Sequence, residues 1–444
     1  MTAPQPSMLE LDNIQHMLLT RVPAMMGRYE FLSFGDPAGG RKWLAEMVER
    51  VHSAADVVAT LDSSQRWITL AFTWNGLRAL GMPDDALVTF PDEFREGMAS
   101  RADILGDTGV NHPDNWVDGL AGDDLHAIAI LFARDAEEHG RCVTEHDRLL
   151  ARCPGVRKVS FLDVSATPPF TYSHDHFGYR DRLSEPVMEG SGREPTPGSG
   201  APLKPGEFIL GYPDENGPPV NLPQPEELSR NGSYMAYRRL EEHVGLFRDY
   251  LRDNAETKED QELLAAKFMG RWRSGAPLVL APEHDDPELA DDPMRNNNFN
   301  YKEMDPHGYA VPFGAHIRRV NPRDTASYIN RRRMIRRGGT YGPHLPEDAH
   351  EDGVERGIAA FVICASLVRQ FEFAQNVWIN DPTFHELGNE RDPIIGNQDG
   401  TFEFKVPKRP IRKVLKGLPA FTTVKGGAYF FLPGLNGLRY LATL

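Results

Sequence analysis

Residues His307–Pro343 read HGYAVPFGAHIRRVNPRDTASYINRRRMIRRGGTYGP. Within this stretch His316 stands between the small, flexible run Pro312-Phe313-Gly314-Ala315 and a cluster of arginines, and Arg336 follows twenty residues later. A neutral imidazole can take one axial position of a metal macrocycle. An arginine brought to the opposite face can stabilise negative charge that develops there. Such chemistry also needs a group to move protons. The upstream run His176-Phe177-Gly178-Tyr179-Arg180-Asp181-Arg182 offers the carboxylate of Asp181.

The rest of the chain sets the bounds. It has 444 residues, 40% hydrophobic and 25% charged, enough to build packed cores and to exclude a disordered chain. The formal net charge of −15 repels phosphate backbones, so no nucleic-acid partner is expected. Arg331-Arg332-Arg333 reads as a local charge cluster. Cys142, Cys153 and Cys364 are odd in number and lack metal or redox spacing, as expected of reduced thiols in a cytoplasmic protein. The start, MTAPQPSMLELDN, has no charged n-region, apolar h-region or twin arginine, so no secretory signal is expected. No run approaches the ~18 apolar residues of a membrane span.

Periodicity gives the elements. Ile14 to Val22 reads as a first strand. Trp43, Leu44, Met47, Val48 and Val51 mark the face of a helix. Trp67 to Phe72, Leu125 to Phe132 and Val156 to Val164 read as strands, with a helix over Asp135 to Arg152. This is the pattern of a split β-α-β unit of ferredoxin-like type. A doubly wound parallel sheet is the alternative, weakened by the lack of a strand–GxGxxG–helix. The Pro/Gly/Ser-rich run Gly190 to Gly206 reads as a connection. A second unit follows: a strand over Ser233 to Leu240, helices to Gly270, and short strands or strand edges at His316–Val320 and Arg333–Arg336. A buried strand at Gly357 to Ile363, a helix over Ala365 to Asn380 and a last strand at Ala428 to Leu432 complete it. The expected fold class is α+β, an internal duplication with units at 1–220 and 221–444.

Several blocks, in order along nearly the whole chain, are similar to the dye-decolourising peroxidase family of haem enzymes. They are Gly178-x-x-Asp181, Ala315-His316-Ile317-Arg318-Arg319-x-Asn321-Pro322-Arg323, Arg336-Arg337-Gly338, Asp392-Pro393-Ile394-Ile395-Gly396 and the closing Gly426 to Gly434. The resemblance implies two ferredoxin-like units with haem b held mainly by the second. It implies hydrogen peroxide as oxidant and dyes, phenols or Mn(II) as reductants, and leaves a homo-oligomer open.

The resemblance also assigns residues. His316 becomes the proximal iron ligand, and its second nitrogen needs an acceptor: Asp392, with Asp399 in reserve. Asp181 takes the acid–base role that plant-type peroxidases give a distal histidine, and Arg336 stabilises charge. Arg318 and Arg323 meet haem propionates or carboxylates of the fold. Ile358 and Phe361 stand where the family places apolar distal residues. Trp378 is a candidate electron relay, with Trp272 as another; ordinary packing is the alternative for both. One departure stands out. The family has glycine after the distal aspartate, and this chain has Arg182; a left-handed backbone there would cost roughly 1 kcal/mol or more. Two rival functions remain open: a haem storage, delivery or dechelation protein, needing His316 but neither Asp181 nor Arg336, and an α+β module whose arginines form an interaction surface.

Overall fold

The computed structural model of the chain describes residues 9–56, 64–165, 174–219 and 222–444. The expected unit boundary between residues 220 and 221 lies outside the described residues. Strands β1 (Met26–Phe34), β2 (Arg66–Phe72), β3 (Ala127–Ala133) and β4 (Val156–Ser165) come first. Then follow β5 (Ser233–Glu242), β6 (Ile335–Tyr341) and β7 (Gly357–Cys364). A separate hairpin of β8 (Glu403–Val406) and β9 (Lys413–Lys416) precedes β10 (Thr422–Leu432). The first four strands pair in the order β4-β1-β3-β2, and β5, β6, β7 and β10 pair as β10-β5-β7-β6. Both are the fourth–first–third–second order of a ferredoxin-like unit, with antiparallel neighbours throughout. The two sheets do not stay apart. β2 meets β10 and β4 meets β6, and the eight strands close into a barrel.

Closure explains why the strands are apolar on both faces. In β1, Tyr29 and Phe31 point into the barrel against Ile128, Ile130, Tyr237 and Phe361. Leu32 and Phe34 point outward onto Trp43, Leu44 and Met47 of helix α1 (Pro37–Val48). Each such side chain contributes roughly 1.5–3 kcal/mol by leaving water. The Asp36 carboxylate starts α1 by accepting the Gly39 N–H at 2.7 Å, and Asp135 starts α2 (Ala136–Ala151) by accepting the Glu138 N–H at 2.9 Å.

Two expected strands are not strands. Ile14 to Val22 forms a single 3₁₀ turn over His16–Leu18. Its buried apolar residues Ile14, Met17 and Leu18 recur at one helical turn, not in alternation. The Gln15 amide takes the place of a ladder, donating to Leu70 O at 2.9 Å and Pro433 O at 2.8 Å. His316–Val320 is a short helix, α3, started by extended Ala315 and ended before Pro322. The expected helix at 365–380 is present as wide, π-type turns over Leu367–Glu372 and Ala374–Asn380. Such turns often mark functional segments. No helix among the described residues is long and apolar enough to cross a membrane.

Candidate active site

Helix α3 carries His316 at its first residue. Its Nδ1 lies 2.8 Å from Asp392 Oδ2, and among the described residues its Nε2 has no hydrogen-bond partner. Asp392 is fully buried. Its other oxygen accepts the N–H groups of Ile394 at 2.9 Å and Ile395 at 3.0 Å. Burial would raise this carboxyl, but His316, the Ile395 N–H and Arg319 together hold it below the usual carboxylate range. An ionised acceptor fixes Nδ1 as the protonated nitrogen and leaves the Nε2 lone pair free to ligate. Asp399, the reserve, is exposed and accepts from the Thr401 N–H and hydroxyl instead. Arg319 locks the helix in place: it is fully buried and donates to the carbonyls of Trp378, Glu390 and Asp381.

The Asp181 loop is held from both sides. Gly178 adopts φ +94°, and a Cβ there would stand 3.0 Å from Arg273 Nη1. Asp175 closes the turn, accepting the Tyr179 N–H at 2.7 Å. Beyond Asp181, Ser184 O accepts from Arg336 Nη2 at 3.1 Å. Asp181 and Arg182 are exposed to solvent. Burial would raise the Asp181 carboxyl. Arg336, then Arg21 and Arg182, outweigh it and keep the group below the ordinary carboxylate range.

The register of β6 on β7 decides which neighbours share the face of Arg336. Arg336 pairs with Val362, Gly338 with Ala360 and Thr340 with Ile358. Opposed residues of an antiparallel pair lie on one face, so Ile358 shares the Arg336 face. Phe361 does not. It points into the barrel, with ring centroids 4.8 Å from Tyr29 and 5.1 Å from Tyr237. The expectation that Phe361 contacts a cofactor is corrected accordingly. Arg318 meets a carboxylate of the fold, the second of its two expected partners: it is buried, donates to Asp305 at 2.9 Å and Val311 O at 2.7 Å, and lies over the Tyr301 and Phe313 rings. Arg323 donates to the carbonyls of Gly198, Asn297 and Phe299 and stacks 3.7 Å from the Phe299 centroid. Both arginines hold the framework. Trp378 is fully buried, 5.4 Å from Phe373 between centroids. The Trp272 indole donates to Ala281 O at 2.7 Å within a packed cluster.

Three residues escaped the sequence reading. Among the described residues the Arg333 side chain has neither hydrogen bond nor ion pair, although protein surrounds it. Burial, with Arg323 and Arg336 adding to it, pushes its guanidinium down to about 10. Its position three residues before Arg336 was a signal, hidden in the run of arginines. Asp175 and Glu242 form the other omission. Burial pushes the Asp175 carboxyl up to about 7, with the Asp181 charge adding to the effect. Glu242 is raised as well, by burial and by Asp175, and accepts the His176 N–H at 3.1 Å.

These residues fit a haem. His316 Nε2 is free to ligate iron, and enclosed, unpaired Arg333 calls for an anionic group such as a propionate. Among the described residues no cluster of three or more His, Cys, Asp or Glu side chains is placed to hold a metal, which suits a single protein ligand to a macrocycle.

Comparison with known proteins points the same way. A family model described as the DyP dimeric alpha+beta barrel domain matches residues 13–153. A dye-decolorizing peroxidase of Exidia glandulosa is 31% identical over 97% of this chain and 87% of its own length. The multifunctional dye peroxidase DyP2 of an Amycolatopsis species is 32% identical over 93% and 91% of the two chains. A solved dye-decolorizing peroxidase in complex with 2,6-dimethoxyphenol superposes with a TM-score of 0.86 at 29% identity, covering 98% of this chain and 100% of that one. With the barrel and the histidine–aspartate pair in hand, the chain belongs to the dye-decolourising peroxidase family of haem enzymes and is a DyP-type peroxidase.

Proposed function

We propose that the protein uses hydrogen peroxide to oxidise phenols and dyes one electron at a time, with haem b bound through His316. The observation that carries this reading is Arg336, on the strand face it shares with Ile358, as the foremost charge acting on the exposed Asp181. A protein that only stored or delivered haem would have no need of that pair. Haem, when bound, supplies a redox-active iron with a position open to peroxide. His316 would hold it, with Asp392 orienting the ring, and Arg333 would meet an anionic edge. Asp181 takes the proton from one peroxide oxygen and returns it to the other, which leaves as water. Arg336 stabilises the negative charge during separation, and its fixed guanidinium needs no reorganisation to do so. Ile358 on the same face excludes water. Organic donors are preferred to Mn(II), because no cluster of carboxylates suited to that ion occurs among the described residues.

Large donors need an exit for oxidising equivalents, and a line of rings supports one. Trp378 adjoins Phe373 at 5.4 Å, and Phe373 adjoins Tyr328 at 6.0 Å. Tyr328 is 43% exposed. Trp378→Phe is expected to slow oxidation of a bulky dye while sparing a small phenol. Equal loss for both would make Trp378 a packing residue. Two units divided near residue 220 and a cytoplasmic location complete the reading. The protein purified with haem is expected to show a Soret band and peroxide-dependent dye turnover. A Soret band without turnover would favour haem handling.

A further inference from the structure

The segment that carries Asp181 is fastened to β6 at two places. Downstream, Ser184 O accepts from Arg336 Nη2 at 3.1 Å, and Glu185 pairs with Arg337. Upstream the fastening is His176, which is buried. Its Nε2 lies 2.8 Å from the carbonyl oxygen of Tyr341, the last residue of β6. A carbonyl oxygen only accepts, so Nε2 carries a proton and donates it. The His176 N–H donates to Glu242, the last residue of β5, at 3.1 Å. Burial, with the Arg356 and His344 charges adding to it, pushes the ring down to about 4, so it is neutral at ordinary pH. The residues after His176 carry this anchor forward. The Phe177 ring packs 4.8 Å from that of Phe247. The Gly178 N–H donates to Asp175 O at 3.0 Å, and the Asp175 N–H to Tyr179 O at 3.0 Å. The Tyr179 hydroxyl donates to Ala265 O at 2.7 Å, and the Arg180 N–H to Arg273 O at 3.0 Å. Each residue from His176 to Arg180 is thus held, and the exposed Asp181 is the next in line.

We propose that His176 is a positioning residue for proton transfer: its Nε2–H, held by Tyr341 O, sets the Asp181 loop in register with the strand that carries Arg336. This rests on the reading of Asp181 as the group that moves the proton. Arg336 is the foremost charge acting on Asp181, so the placement of the loop along β6 governs both the rate and the acidity of that carboxylate. A shift of about 1 Å in such a group can cost on the order of 100-fold. A histidine that only filled space here would support the fold and leave the rate of each folded, haem-loaded molecule unchanged.

The test compares two amides in the haem-loaded protein, by stopped-flow reaction with peroxide per haem across acidic to neutral pH. The glutamine amide nitrogen stands where Nε2 does, whereas asparagine is one methylene too short to reach Tyr341 O. His176→Gln is expected to keep the native rate and acid limb, and since glutamine does not titrate, a limb retained there belongs to Asp181. His176→Asn is expected to react up to about 100-fold more slowly, with its limb moved to higher pH as Arg336 acts less on Asp181. His176→Leu, with no donor, repeats that arm should the shorter amide not fold. Beside Arg336→Leu the same change should cost little, because no cation remains to be in register with. Asp181→Asn is run alongside. A native rate in Asp181→Asn would remove the reading on which the proposal rests. A slow Asp181→Asn with equal rates in the glutamine and asparagine variants, or with an asparagine penalty undiminished beside Arg336→Leu, would overturn the role of His176 alone.

Discussion

The two sides of the active site are built differently. Around His316 the framing groups are tied to one another: Nδ1 to Asp392, the second Asp392 oxygen to two N–H groups, Arg319 to three carbonyls. Around Asp181 the chain keeps solvent-accessible charge, an unpaired Arg333 and a strained Arg182. Cofactor retention rewards a frame with one arrangement. Chemistry on a small, exchanging substrate requires groups whose hydrogen bonds are left for that substrate, and strain gathers where function over-determines the backbone. The difference also separates what a substitution should do: changes near His316 should act on haem binding, and changes near Asp181 on rate.

The largest expected effect is on the matched side. His316→Ala should lose most of its haem while the protein still folds, since both strand sets have cores away from this residue. Purification with a full Soret-to-protein ratio would show that another residue ligates iron.

On the other side, Asp181→Asn should slow the reaction with peroxide by ~100- to 10,000-fold, and Arg336→Leu by ~100- to 1000-fold. Overlapping ranges make pH the discriminator. Asp181 accepts a proton only when ionised, and its pKa is depressed, so the native rate should hold until pH falls below the ordinary carboxylate value of about 4. The stability this depression contributes is present above the unfolded value and is lost as pH falls through the folded one. Asp181→Asn should abolish the acid limb. Arg336→Leu should keep it, moved to higher pH, because the foremost neighbour favouring the anion is gone. Stopped-flow Soret absorbance at a series of pH values reads both; an unchanged limb in Asp181→Asn removes that residue from proton transfer.

Asp392→Asn tests the frame more gently. Loss of such a supporting carboxylate typically costs about 10- to 100-fold in affinity, measurable as faster haem transfer to an acceptor globin. The smallest effect concerns strain. Arg182→Gly should raise unfolding stability by roughly 1 kcal/mol, since glycine takes φ +69° without penalty. A lower melting temperature would mean that Arg182 holds the loop together by contacts that outweigh its backbone.

Much of this was legible in the sequence. Strands with both faces apolar announced themselves by β-branched and aromatic runs, and ordered motifs named His316, Asp181, Arg336 and Asp392 across gaps that periodicity cannot bridge. Barrel closure was not legible, because pairing between sheet edges leaves no local pattern. Phe361 could have been set apart: residues 358 and 361 are an odd number apart and must face opposite sides of a strand. Arg318, two residues beyond His316 on a helix, is likewise turned away from it. Arg333 was lost among like neighbours, and the departure at Arg182 showed that something differed without showing what.

Among the described residues the barrel closes across two seams of one registered pair each, Phe72 with Phe431 and Ser165 with Thr340, around a core that both strand sets share. As separate subunits the two strand sets would depend on concentration to build that core. Here both strand sets belong to one chain, so each meets the other at a local concentration set by the connection between β4 and β5, independent of how much protein is present. Association that strong by connectivity frees the seams from having to be tight, and a joint that need not be tight is a place where a cavity can open.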